Sequence, residues 1–442
     1  MDARHRNSTK QPVAAKTLMN PTPVKAAVRV AWVIAKLTSG GIGPVCRYAA
    51  EGVARNPGWF ATVVSLHEPR GDRTDAITGV RYVALGLEAE GSSEFLRWLA
   101  ANPQDIVITS DVSHIEASFP YIPKETLHVI QIHDNLRRYR DVAVRNQTWI
   151  DGVFCVARHI EAPLHASLRQ VGFHGVCDTV HNGAAFPPLP SVCGGSGACR
   201  PSSGPLRLIF MGRLDPFKGI FDLVPILQRL NKMKVPACLT IVGGRQELLA
   251  LRFRRHKLDH LVTWTGRVPH QDCYRLAAES DVFLMLSRKE PFGMVTIEAM
   301  SMGCVPLAYA TPSGSTEIIE DGRSGLLVPL GDFTALAQSI QRLHENRGEL
   351  FLLSQGAIAR ARTQFSEEVM AKKLCAFLQR VQTNSHSHPS DRKSGFPPAI
   401  KAQARSRLVN YKRISPVIRE WLRNWVGSHP RLMYWLIKHW QQ

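Results

Sequence analysis

The sequence predicts an α/β protein made of two doubly wound domains of similar size. Three observations predict it. Short, uninterrupted apolar runs recur along the chain, as strands covered on both faces of a parallel sheet require. Helix-compatible stretches separate those runs. Between Phe186 and Pro205 the rhythm stops in FPPLPSVCGGSGACRPSSGP, a Pro/Gly/Ser linker, and then begins again. A chain of 442 residues is also longer than one hydrophobic core usually serves.

Taken in order, residues 1–25 form a basic tail without the apolar stretch of a secretory signal. The first domain is expected over 26–185. It opens with a strand at 28–37 (VRVAWVIAKL), then Thr38-Ser39-Gly40-Gly41-Ile42-Gly43-Pro44 and a helical pattern to about Ala54. Further strands are expected at 106–109 (IVIT), 127–132 (LHVIQI) and 153–156 (VFCV). After the linker at 186–205, the second domain (206–365) brings strands at 206–211, 238–243, 261–264, 282–286 and 305–309. Met370, Leu374, Phe377, Leu378 and Val381 then recur at helical spacing, with Ser366 as N-cap and Glu367 and Glu368 in the first turn. That helix, 366–383, is expected to return to the first domain. A basic, Trp-rich extension, 384–442, completes the chain.

The net charge of +19 is concentrated in the tails: +4 over residues 1–25 and +9 over 385–442, which leaves +6 for the body. Such tails suggest an anionic partner. No zinc-finger, RRM or KH signature accompanies the charge, so no nucleic acid is expected. Nine cysteines, an odd number with no CxxC pair, read as reduced thiols rather than a zinc site. No apolar run is long enough to span a bilayer. Ser415-Pro416 opens an amphipathic pattern that Gly427 ends, and a second pattern follows Pro430. Trp421, Trp425, Trp435 and Trp440 lie on these patterns among Arg and Lys. An anionic membrane surface met through 415–440 fits that composition. Packing onto the body of the protein or onto a partner chain fits it equally.

The chemistry concentrates in two clusters. In Ser287-Arg-Lys-Glu290-Pro-Phe-Gly293-Met-Val-Thr-Ile-Glu298, a strand runs into a tight turn and then a helix. Free N–H groups at that helix start favour an anionic oxygen, and Gly293 lets a ligand approach. Glu290 and Glu298 are acceptors suited to sugar or ribose hydroxyls. In Met211-Gly212-Arg213-Leu-Asp-Pro-Phe-Lys218-Gly219, a forked cation and a point cation follow a strand, a combination suited to a diphosphate.

These residues resemble the retaining GT-B glycosyltransferases of family 4. Glu290 to Glu298 resembles the E-x7-E signature, and Gly212-Arg213 with Lys218-Gly219 resembles GR-x4-KG. Ser313-Gly314-Ser-Thr-Glu317, Asp321-Gly322, Gly325-Leu-Leu-Val-Pro and Val180-His-Asn182-Gly183 are similar to further motifs, in the family's order over about residues 28–383. The resemblance implies two Rossmann-like domains facing a central cleft. It implies that Arg213 and Lys218 hold a donor diphosphate, that Glu298 binds ribose and that Glu290 binds the transferred sugar. It implies that the N–H groups of Met294 and Val295, in the turn with Phe292 and Gly293, meet phosphate or sugar oxygens. Val268 would flank the nucleobase, Gly40 and Gly41 the donor phosphate, and His133 would be the active-site histidine.

The expected activity is transfer of a sugar, with retention, from a UDP- or GDP-linked donor to a glycan or lipid-linked acceptor. Cell-surface polysaccharide or lipopolysaccharide assembly is the expected setting, on the cytoplasmic side and peripheral to the inner face of the membrane. No Asp-x-Asp pair occurs, so no metal or other cofactor is expected. Two alternatives stand: a small soluble acceptor, and a non-catalytic basic binding protein.

Overall fold

The structure, a computed structural model, describes residues 27–385 apart from 39–40, 88–91, 190–202 and 245, together with residue 393. Two open sheets organise it. The first holds β1 (Val28–Ile34), β2 (Trp59–Ser65), β3 (Gly71–Thr74), β4 (Arg81–Ala84), β5 (Ile106–Ser110), β6 (Leu127–Ile132), β7 (Gly152–Cys155) and β8 (Val176–Thr179). Their order is β3-β4-β2-β1-β5-β6-β7-β8, and the β3–β4 pair alone is antiparallel. The second holds β9 (Leu206–Met211), β10 (Ala237–Val242), β11 (Val262–Gly266), β12 (Val282–Met285), β13 (Val305–Tyr309) and β14 (Leu326–Val328), in the order β11-β10-β9-β12-β13-β14.

The apolar runs form the central strands because a strand sandwiched between helices must be apolar on both faces. In β1, six of seven residues are buried and Trp32 is wholly enclosed. The strands not anticipated are β2 and β4, inside the first sheet, and the short edge strands β3, β8 and β14. β3 reads GDRT and every residue of it is exposed, so it carries no apolar signal. β8 and β14 are four and three residues long.

Each sheet reverses its winding once, between β1 and β5 and between β9 and β12. Ligands of open α/β sheets bind outside the carboxyl ends of the strands at such a reversal. The loops after β1, β5, β6, β9 and β12 therefore matter most.

The helix Glu367–Ser385 packs on the first sheet's side of the molecule. Phe377 meets Phe154 of β7 edge-on at 5.4 Å, and Ala371 presses on Gly52 of the helix Ile42–Ala54. Ser366 Oγ accepts from Val369 N–H at 3.3 Å, the N-cap its sequence announces. The amphipathic patterns at 415–440, both tails and the core of the linker lie outside the described residues, as do Gly40, Cys193 and Cys199. The seven described cysteines are free thiols. Among the described residues no helix is long and apolar enough to cross a membrane.

Candidate active site

The loop after β9 is shaped by two glycines. Gly212 has φ 142° and Gly219 φ 76°, and a Cβ on Gly219 would sit 2.1 Å from the Leu286 carbonyl oxygen. Only glycine fits there. Asp215 Oδ1 accepts the Phe217 N–H at 2.9 Å and caps the turn Pro216–Lys218. From that turn Lys218 Nζ reaches Glu290 Oε2 at 2.6 Å, and Ser287 Oγ donates to the same oxygen at 3.1 Å. The Arg213 guanidinium is exposed and has no hydrogen-bond or ion-pair partner among the described residues.

A buried ion pair joins this loop to the one after β12. The enclosed Arg288 guanidinium donates to Asp222 Oδ1 at 2.6 Å, and the Tyr309 hydroxyl donates to Asp222 Oδ2 at 2.7 Å. Burial raises the Asp222 carboxyl above its usual range, while Arg288 and Tyr309 oppose that rise. Arg288 also donates its backbone N–H to the Phe217 carbonyl at 3.0 Å. Lys218 and Glu290 thus sit on loops clamped from below. The sequence reading passed over Arg288, although it lies within the cluster. Its buried role has no local signature, because its partner is 66 residues away.

The helix Met294–Ser301 starts at Gly293, whose φ is 108°, and no side chain caps it. The backbone N–H groups of Met294 and Val295 find no acceptor among the described residues, as first-turn donors do when a ligand is to supply one. Phe292 is 2% exposed, its ring centroid 5.9 Å from those of both His181 and Phe365, so it offers a ligand main chain rather than ring. The turn is pressed from behind by Gly314: a Cβ there would lie 1.9 Å from the Phe292 carbonyl oxygen. Glu298, one turn into the helix, accepts from His270 Nε2 at 3.0 Å. That bond raises the His270 imidazole above its ordinary pKa. His270 opens the helix His270–Ala278 just after Val268, and sequence reasoning missed it. Val268 is half-buried beyond Gly266, whose carbonyl accepts from Gly243 N–H at 2.9 Å and ties the loops after β10 and β11 together.

Across the cleft, Gly41 starts the helix Ile42–Ala54, and a Cβ added there would meet nothing within 4 Å. The fold leaves that space open. Gly43 is the crowded glycine, with an added Cβ 2.0 Å from the Leu37 carbonyl oxygen. His133 follows β6. Its ring is buried, its Nε2 has no hydrogen-bond partner, and burial pushes its pKa down to about 3, so the imidazole is neutral. Asp134 Oδ1 lies 2.9 Å from Lys289 Nζ of the second domain, an ion pair whose angles fall outside hydrogen-bond geometry. Asp111 follows β5 with φ 51°, a left-handed conformation uncommon outside glycine. Burial pushes its carboxyl up to about 7, and Asp134 adds to the rise against Tyr139 and Arg138. It was not anticipated either, though an acid closing an apolar strand (IVITSD) was its available signal.

A second cross-domain contact lies beside the linker. Glu317, on the short helix Gly314–Ile318, accepts from the backbone N–H groups of Arg158 and His159 at 2.8 and 2.9 Å. It also takes His159 Nδ1 at 3.0 Å and His181 Nε2 at 2.8 Å. Burial alone would raise this carboxyl, but the four hydrogen bonds outweigh it and hold it well below the usual carboxylate range. In effect the second domain caps the first domain's helix Arg158–Gln170.

Two largely parallel sheets whose loops face one another across a cleft define the GT-B fold. Residues 200–363 match the family described as glycosyl transferases group 1. That match covers the second domain, and the fold of the described residues is GT-B. It is 28% identical over 176 residues to glycogen synthase of Mycobacterium tuberculosis, covering 39% of this chain and 42% of that protein. It is 28% identical over 185 residues to the amylovoran biosynthesis glycosyltransferase AmsK of Erwinia amylovora, covering 40% and 45%. The matched region thus spans less than half the length of these curated relatives. Among solved structures, sucrose-phosphate synthase of Thermosynechococcus elongatus superposes with a TM-score of 0.66 at 19% identity, over 80% of this chain and 99% of that one. Anabaena HepE in complex with UDP and glucose gives 0.60 at 17%, over 80% and 99%. Among the described residues no group of three or more His, Cys, Asp or Glu side chains is placed to hold a metal ion.

Proposed function

We propose that this protein transfers a sugar, with retention, from a UDP-linked donor to a glycan or lipid-linked acceptor in cell-surface polysaccharide or lipopolysaccharide assembly. The observation that carries the reading is the second-domain cradle. An unpaired Arg213, Lys218 joined to Glu290, and the uncapped start of the helix Met294–Ser301 all rise from loops at one sheet's winding reversal. Departure of a nucleoside diphosphate builds negative charge, and oriented cations with a helix start stabilise it without reorganising. Glu290 then holds hydroxyls of the sugar, with Lys218 keeping its carboxylate in place, and Glu298 takes ribose hydroxyls with His270 behind it. Val268 flanks the base, and Gly41 leaves room for phosphate, as Gly40 does in this reading. His133, neutral and with a free Nε2, offers the sugar or the acceptor a hydrogen bond rather than a charge.

No side chain in this arrangement is an evident double-displacement nucleophile, so retention is assigned to a same-face, oxocarbenium-like step. The uridine assignment is supported by similarity to a UDP complex, and the GDP-linked donor is its competitor. A polysaccharide setting is supported by the likeness to an amylovoran glycosyltransferase. The basic Trp-rich extension supports a place at the inner face of the cytoplasmic membrane. The alternative of a small soluble acceptor is favoured by the likeness to sucrose-phosphate synthase. Thermal stabilisation by UDP, GDP and ADP, with Arg213→Ala and Lys218→Ala as controls, tests the donor site. A shift with UDP alone, lost in both variants, is expected; no shift with any nucleotide in a folded protein would end the proposal. Deleting 386–442 separates the acceptors: a lipid acceptor loses membrane-dependent transfer, while a soluble one does not.

A further inference from the structure

Two pairs of neighbours in the chain face each other across the cleft. Asp134 follows His133, Lys289 precedes Glu290, and the outer members of the two pairs meet at 2.9 Å. We propose that Asp134 and Lys289 are a positioning pair that sets the spacing of His133 from Glu290 when the cleft is closed, an inference that rests on the function proposed above.

Neither half of the centre can adjust that spacing alone. Glu290 is held at both ends, its carboxylate by Lys218 and Ser287 and its carbonyl by the Gly314 N–H at 2.9 Å. His133 is enclosed in the first domain behind β6. Their separation therefore follows the angle between the domains.

The Glu317 and Lys289 contacts between the domains differ in kind. Around Glu317, four donors converge on a carboxylate that is 14% exposed, close to the linker and to Phe365. Breaking it would strand several buried polar groups, so it behaves as a pivot. Lys289 and Asp134 are each about a quarter exposed and make one contact, outside hydrogen-bond geometry. Such a pair biases an equilibrium by about two- to five-fold and can part without leaving orphans. A contact of that strength suits a cleft that must open for each substrate. Lys289 also places a cation beside Asp134, whose carboxylate repels that of Asp111.

Lys289→Met, Asp134→Asn and the reversed pair Lys289→Asp/Asp134→Lys test the proposal in the full chain, with UDP as probe. Small-angle scattering with and without UDP reads the domain angle, calorimetry reads UDP affinity, and the His133 imidazole NMR signal reads the register. Each single variant is expected to raise the open fraction two- to five-fold and to move the His133 signal, with UDP affinity kept within two-fold. The reversed pair is expected to restore both. The move in Lys289→Met is the decisive one, since that residue belongs to the other domain. Single variants that scatter like the parent overturn the proposal, and so does a reversed pair that restores neither signal. If the parent fails to bind UDP, the donor-site reading falls, while the scattering comparison still decides the pair.

Discussion

Replacing Glu317 by alanine removes one acceptor from four donors at once. Two are backbone N–H groups at the start of the helix Arg158–Gln170, and loss of a cap there costs about 1 kcal/mol. The others are the His159 and His181 ring nitrogens, each losing a charged partner in surroundings that admit little water. Their loss adds about 1 kcal/mol each, so a total near 3 kcal/mol is expected, with some non-additivity among adjacent groups. Glu317→Gln keeps one acceptor oxygen and should lose about half as much. Urea unfolding followed by tryptophan fluorescence measures both. The pH dependence has a definite sign: because the folded carboxyl lies below its unfolded value, the contribution is complete above about pH 4.5 and fades as pH falls below it. A loss under about 1 kcal/mol for the alanine variant, or one that grows as pH rises from 5 to 8, would refute the reasoning.

Gly219→Ala meets both a φ of 76° and a carbonyl oxygen 2.1 Å from the new Cβ, so the loop carrying Lys218 must move. UDP affinity should drop at least ten-fold by calorimetry, with circular dichroism retained. His270, raised by its bond to Glu298, should titrate above the ordinary imidazole value by NMR and return toward it in Glu298→Gln. Its stabilising contribution is full below pH 6.5 and is lost as pH rises through the folded pKa; an unmoved titration in Glu298→Gln would discard that pairing. Nucleotide release from a UDP-sugar should be insensitive to EDTA, and a loss restored by Mg²⁺ would contradict the expected metal independence.

Much of this architecture was legible in the sequence because buried parallel strands and charged loops leave local marks. VRVAWVI is apolar but for Arg29, and the turn at Pro291-Phe292-Gly293 announces a strand-to-helix junction. What stayed hidden was relational. GDRT becomes a strand only by pairing with β4, and Asp222 becomes half of a buried ion pair only when residue 288 folds beneath it. His270 stands 28 residues before Glu298 and looks like any polar residue opening a helix. Asp134 and Lys289 belong to different domains, and no spacing rule joins them. Phe292 carries the opposite lesson: its motif is local, while its ring is taken up by His181 and Phe365 from elsewhere in the chain.

The chain passes between the two halves of the molecule twice, and both passages lie side by side. Ala184 N–H bonds to the Phe365 carbonyl at 3.1 Å, and Glu367 N–H returns the bond to Ala184 at 3.0 Å. The second half is therefore an insert with adjoining ends, spliced into the first like a cartridge into a holder. Such an insert can be exchanged without rethreading its host, because a replacement needs only two neighbouring junctions to match. The span recognised as a family, 200–363, is nearly that cartridge. On the function proposed above, donor and acceptor preferences are then free to be inherited separately, and chimaeras cut near residues 190 and 365 would recombine them.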